Sequence, residues 1–261
     1  MIPWTTVDIH LFSETNAKFN VNALTRAPKM SKTKARSTDH FYELSKWELD
    51  EIVLKEIIGT GFEFFLPLVA DGNAGYLTDM KFNEVVNTFY DQDRFCFNFG
   101  EKDSIERRVF IGADTILYLT GLKFLGEPVV KEEINLGNID DVGRYKVDGL
   151  GWVDAKFIHN KRITLKGLRE FMKVKDDRSL EHCVNAFILY VVKTVIVPTS
   201  GPEVPLSYLG SIRDGRYKNC AWGMAMLANM HYYLTKQKMG QKYQSTSTFF
   251  YGLLSRALPC S

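Results

Sequence analysis

Five histidines and four cysteines are the chain's stock of imidazole and thiol side chains. Cys96, Cys183, Cys220 and Cys260 are far apart, with no C-x-x-C and no nearby histidine pair, so zinc and redox motifs are not indicated. His182 adjoins Cys183, but neighbours on a helix point about 100° apart, which makes them poor partners for a Cys–His pair. His182 reads as a core or boundary histidine, and His231, among Met and Tyr neighbours, as a packing one. Gly59-Thr60-Gly61 lacks the third glycine and the preceding strand of a dinucleotide loop, and there is no G-K-[ST] phosphate loop. Asp140, Asp141, Asp148 and Asp154 lie among glycines and read as a solvated loop rather than a carboxylate metal site. Tyr232-Tyr233 lacks the interleaved Arg or Lys of a base-stacking surface. The sequence therefore assigns no catalytic residue, no cofactor and no metal site, and no enzyme is expected.

One stretch does gather charge: SIRDGRYKNCAWG, residues 211–223. Arg213, Asp214, Arg216 and Lys218 cluster around Gly215, too polar for a core, just before a helix opened by Trp222. Loops fixed to a rigid helix collect binding residues. These four are the candidate partner-binding residues. Removing Arg213 and Arg216 is expected to leave stability nearly unchanged, whereas Trp222 reads as a core residue.

The setting is ordinary. Of 261 residues, 45% are hydrophobic and 25% charged, as in a globular protein with a sizeable core. A net charge of +2 is too small to imply nucleic acid by itself. The scattered cysteines suit reduced, partly buried thiols in an intracellular protein. The N-terminus has no secretory pattern, and the longest apolar run, AFILYVV at 186–192, is interrupted by Lys193 and too short to span a membrane. Residues 1–38 read as a flexible extension. Its basic stretch at 28–36 reads as a solvated linker, or as a nuclear import signal or phosphate-contacting arm.

The positioning elements follow from periodicity. A helix capped by Asp39 carries Leu49, Ile52, Val53 and Ile57 on one face and stops at Gly59 and Gly61. Another follows Thr78, with Phe82, Val85, Val86 and Phe89. Phe95, Phe97 and Phe99, then Val109 and Ile111, alternate as a β-hairpin near 94–112. A helix with Ala113, Ile116, Leu117 and Thr120 inward ends at Gly121, placed for a left-handed C-cap. Residues 131–160 read as a long loop with little regular structure. Helices follow at Ile163–Val174, capped by Thr164; at Leu180–Val197, deeply buried; at Val204–Ile212; at Ala221–Lys236; and at Thr248–Ala257. The expectation is a mainly α fold: one helical domain over 39–261 with a small hairpin.

Two segments together resemble the plant mobile domain family, also labelled aminotransferase-like. In residues 95–130, Phe95, Phe99, Gly100, Glu101, Asp114, Leu117, Gly121, Leu122, Gly126, Pro128 and Val129 occupy the family's signature places. In residues 186–234, Val204, Leu206, Tyr208, Leu209, Arg213, Asp214, Tyr217, Trp222, Gly223, Leu227 and Tyr232 do so. Arg216–Trp222 is longer than the family's Tyr-x-Trp, and a later Leu-Gln-x-Trp helix is absent. The resemblance implies a domain shared by transposable elements and host nuclear proteins. It implies action in transposon silencing, genome stability and meristem maintenance, partly through a phosphatase-like protein partner. It implies no enzymatic activity, and no lysine in the chain is identifiable as a cofactor-binding one. The reading is a nuclear, non-enzymatic protein-interaction module with no membrane association. The alternatives are a nucleic-acid binder of transposon origin, using the basic arm with Arg107, Arg108, Arg213 and Arg216; an undetected hydrolase; and a cytoplasmic location.

Overall fold

The computed structural model describes residues 49–66, 88–98, 108–173, 178–198 and 203–239. The Asp39 cap, the boundary at 38/39, the basic arm, the helix after Thr78, Gly100, Glu101 and the helix at 248–257 lie outside those residues.

In chain order the α-helices of the described residues are α1 (Glu51–Ile57), α2 (Ala113–Thr120), α3 (Leu165–Phe171), α4 (Leu180–Val191) and α5 (Trp222–Lys238). The centre of the molecule is α4. From Cys183 to Val191 every residue of α4 is buried. This all-round apolarity is the signature of a helix enclosed by neighbours. Ser179 starts it: its hydroxyl accepts from His182 N–H, and His182 Nδ1 accepts in return from Ser179 N–H. His182 thus fills the place usually held by Glu or Gln in a capping box. Beyond Val191 the chain continues as a π-turn, Val192–Ile196, wholly buried. α1 and α3 pack against α4, and α5 packs against both α2 and the π-turn. α1 buries Val53 and Ile57 but leaves Ile52 outside. α3 is capped as its sequence suggests, with Thr164 Oγ1 accepting from Gly167 N–H at 3.0 Å.

The expected mainly α architecture is overturned. Strands β1 (Tyr90–Asp91), β2 (Cys96–Asn98) and β3 (Arg108–Phe110) form one antiparallel sheet; β4 (Arg144–Val147) and β5 (Gly151–Asp154) a second; and β6 (Ile158–His159), β7 (Arg162–Thr164) and β8 (Glu203–Pro205) a third. With three small sheets between the helices, the fold is mixed. The error has a local origin. The Gly- and Asp-rich stretch 131–160 looks like a loop in sequence, and it stays irregular up to Asp140, but from Arg144 on it forms short strands joined by a tight turn at Gly149. Gly149 and Gly151, at φ 85° and 75°, flank the β4–β5 connection, a conformation that costs glycine little. Val147 and Val153 then face the core. Likewise Val204–Ile212 opens as a strand and continues as a 3-10 turn, Leu206–Ser211.

The expected hairpin is present, with Phe97 opposite Val109, and gains β1 as a third strand. Phe95 lies in the connecting turn at φ 51°. In α2, Ile116 and Thr120 point inward and Leu117 is exposed. Gly121 ends the helix at φ 66°, its N–H donating to Leu117 O at 2.8 Å.

Candidate functional site

After Gly121 the chain runs as a strap, residues 122–132, across the loop that precedes α5. Backbone hydrogen bonds stitch the two together. Glu127 N–H donates to Asn219 O, and Ala221 N–H to Glu127 O, both at 2.8 Å; Gly223 N–H donates to Lys123 O at 2.8 Å; Glu132 N–H donates to Ser207 O at 2.9 Å. Ser211 Oγ clamps Val130 from both sides, accepting from its N–H and donating to its carbonyl, each at 2.9 Å. Two glycines make the approach possible. A Cβ on Gly126, at φ 147°, would stand 2.1 Å from Asn219 O, and one on Gly223 would stand 2.6 Å from the Phe124 ring.

At the end of the strap, Glu132 reaches under the charged loop. Its Oε1 accepts from Arg216 Nη1 at 2.6 Å and its Oε2 from Arg213 Nη2 at 2.9 Å. Arg213 also pairs through Nη1 with Asp148 in the β4–β5 turn. The hydrogen bond from Arg216, then the charge of both arginines, hold the Glu132 carboxyl below its usual range. Charge-assisted pairs of this kind are the stronger hydrogen bonds. They are reached only because position 210 is glycine, since a Cβ there would lie 2.4 Å from Glu132 Cδ.

Above this support the loop turns sharply. Asp214 and Gly215 are both left-handed, at φ 57° and 70°, an arrangement Asp tolerates better than most residues. Asp214 N–H donates to Glu181 Oε1 at 3.0 Å, tying the turn to the first turn of α4. The Asp214 side chain is 79% exposed, and Lys218 is exposed over the ring of buried Tyr217. Trp222, 2% exposed, anchors the loop from within: its Nε1 donates to Tyr217 O at 3.0 Å, and its ring meets Phe62 edge-on at 5.8 Å.

The candidate residues thus divide. Arg213 and Arg216 are engaged on Glu132, while Asp214 and Lys218 face solvent. Asp114 is exposed in the first turn of α2, Pro128 is exposed in the strap, and Gly126 and Gly223 are contact points of the seam. Glu132 was missed in the sequence. Nothing local marks it, because its partners are 81 and 84 positions away. Lys193 was also missed, and its signal was visible as the one charge in an apolar run. It is buried in the π-turn, and burial, reinforced by Arg162, pushes its pKa down to about 8.

His182 and His231 have structural partners. His231 Nε2 lies 3.1 Å from Ile111 O, and Nδ1 lies 3.0 Å from Tyr90 Oη. A carbonyl only accepts, so Nε2 carries the proton and Nδ1 accepts from the tyrosine. Burial pushes the thiols of Cys96, Cys183 and Cys220 up, which keeps them protonated and unreactive. Among the described residues no group of three His, Cys, Asp or Glu is placed to hold a metal ion, and no helix is long and apolar enough to cross a membrane. No protein-family model, curated protein or solved structure matches this chain.

Proposed function

We propose that the chain is a non-enzymatic protein-interaction module that works in the nucleus, as its resemblance to plant mobile domain proteins implies, and that loop 213–218 is its contact surface. The observation that carries this reading is the division of labour within the loop. Glu132 and Asp148 together balance Arg213 and Arg216, and the turn they support displays Asp214 and Lys218. A charged turn held rigid before it meets a partner loses little entropy on binding. Its left-handed Asp214 is the kind of strained position that persists where the surroundings hold it in place.

The same geometry disfavours nucleic acid at this loop. Its two arginines already face a carboxylate, and Arg213 also pairs with Asp148 and lies beside Asp214. Phosphate contact requires free cationic groups.

The test is affinity purification from plant nuclei, with and without nuclease treatment, with the full chain and with a charge-reversed variant, Asp214→Lys/Lys218→Glu. A protein retained by the first and lost by the second supports the reading. Retention that disappears on nuclease treatment supports the nucleic-acid alternative. Equal retention by both chains removes the loop from the interface.

A further inference from the structure

The turn at Asp214 is fastened to α4 by a single hydrogen bond, from its N–H to Glu181 Oε1 at 3.0 Å. Glu181 lies in the first turn of α4, and the Ser179–His182 capping box gives that turn its shape. Both bonds of the box are long. His182 N–H donates to Ser179 Oγ at 3.2 Å, and Ser179 N–H to His182 Nδ1 at 3.4 Å. A glutamine in this place accepts at any pH. His182 accepts only while its ring is neutral, because a protonated imidazole carries an N–H on both nitrogens.

The ring has no room to turn aside. A Cβ on Gly151 would stand 2.9 Å from both its Cε1 and its Nδ1, so the start of β5 lies against it. One turn further along α4, Asn185 Nδ2 donates to Gly149 O at 2.9 Å and holds that connection in place. An imidazolium here would also stand at the positive end of the helix. Burial holds the His182 pKa below its usual range, against the opposing pull of Glu181. Among the described residues, the neighbouring elements bring other charges to this corner. Arg178, ahead of the cap, is laid over the Phe171 ring and donates to Glu170 O. Asp148 in the β4–β5 turn is paired with Arg213, which lies beside Asp214. Asp50, at the start of α1, acts on Cys183.

We propose that the Ser179–His182 capping box is a proton-sensitive latch on loop 213–218: a proton on His182 opens the first turn of α4, displaces Glu181 and releases Asp214. The loop is the one that the proposed function places at the interface. The latch is tested without a partner, so it and that reading can fail separately.

Amide NMR of the full chain between pH 5 and pH 8 is the test. The Ser179 and Asp214 amide signals should move together, with the midpoint of the His182 ring signal and below pH 6.5. Protection of Asp214 N–H from hydrogen exchange, corrected for the ordinary pH dependence of exchange, should fall about five-fold, the factor that a lost helix cap corresponds to. In His182→Gln, whose side chain accepts without titrating, the Asp214 signal should keep its high-pH position throughout. If that variant folds poorly, His182→Glu gives the same reading, since its carboxylate remains an acceptor over this range. His231→Gln should leave the response intact. An Asp214 amide that stays still through the His182 midpoint overturns the proposal in the unaltered chain. One that moves equally in the His182 variants overturns it as well, as does a response lost in His231→Gln.

Discussion

Gly126 and Asn219 meet backbone to backbone: a Cβ on the glycine would stand 2.1 Å from the asparagine carbonyl oxygen. Neither group can move aside, because Asn219 O already accepts from Glu127 N–H. Gly126→Ala should therefore cost about 2 kcal/mol or more, the scale of an overpacked interior, and lower the melting temperature by roughly 5 °C. Gly137→Ala is the control, since its Cβ meets nothing within 4 Å; it should be within about 0.5 kcal/mol of neutral. Equal melting temperatures for the two variants would refute the close approach.

Glu132 should couple to Arg213 and Arg216. The sequence alone suggested that removing both arginines leaves stability nearly unchanged; with both on one carboxylate, Arg213→Ala/Arg216→Ala should instead lower the melting temperature. In a double-mutant cycle Glu132→Ala should cost much less once Arg216 is already alanine. The folded carboxyl titrates below its ordinary value of 4.5. Its contribution is therefore complete above about pH 4.5 and is lost as pH falls through the folded pKa. Additive single-mutant effects would show that the pair contributes nothing.

Trp222→Ala should destabilise the domain by about 3–5 kcal/mol, as expected for a buried aromatic. Trp222→Phe keeps most of the ring but loses the hydrogen bond to Tyr217 O, and should cost much less. Thermal melts of both variants decide. A mild Trp222→Ala would mean that the loop is not anchored through this side chain.

His231 should make the fold acid-sensitive. Burial lowers its pKa from 6.5, so below about pH 6.5 the unfolded chain takes up a proton that the folded chain resists. Stability is then full above pH 6.5 and declines as pH falls towards the folded pKa. His182 is shifted the same way, also by burial, so His231→Gln should flatten the pH dependence only in part. Chemical denaturation between pH 5 and pH 8 measures it, and an unchanged slope in the variant would exclude His231 as a source.

What the sequence revealed was local. The cap at Thr164, the left-handed end at Gly121 and the core position of Trp222 depend on neighbours three or four residues away, and helical periodicity exposes them. The β4–β5 hairpin was hidden because the same Gly and Asp residues mark open loops and tight turns alike, and four-residue strands give too little alternation to separate the two. Glu132 was hidden for a different reason. A glutamate looks the same whether it faces water or two arginines more than 80 residues on, and only the strap's course across the loop decides. The charged loop was visible, but which of its residues face outward was not.

The seam between strap and loop also sets a timetable. Glu127 finds Ala221 only after 94 more residues have been added. At ribosomal rates of about 5–20 residues per second, the strap waits roughly 5–19 s for its partner. Local pairs such as β4 with β5, or α3 with α4, can close meanwhile, since contacts close in sequence form fastest. The strap is then one of the parts of the nascent chain that stay open after the local pairs have closed, and a place where a folding helper would act.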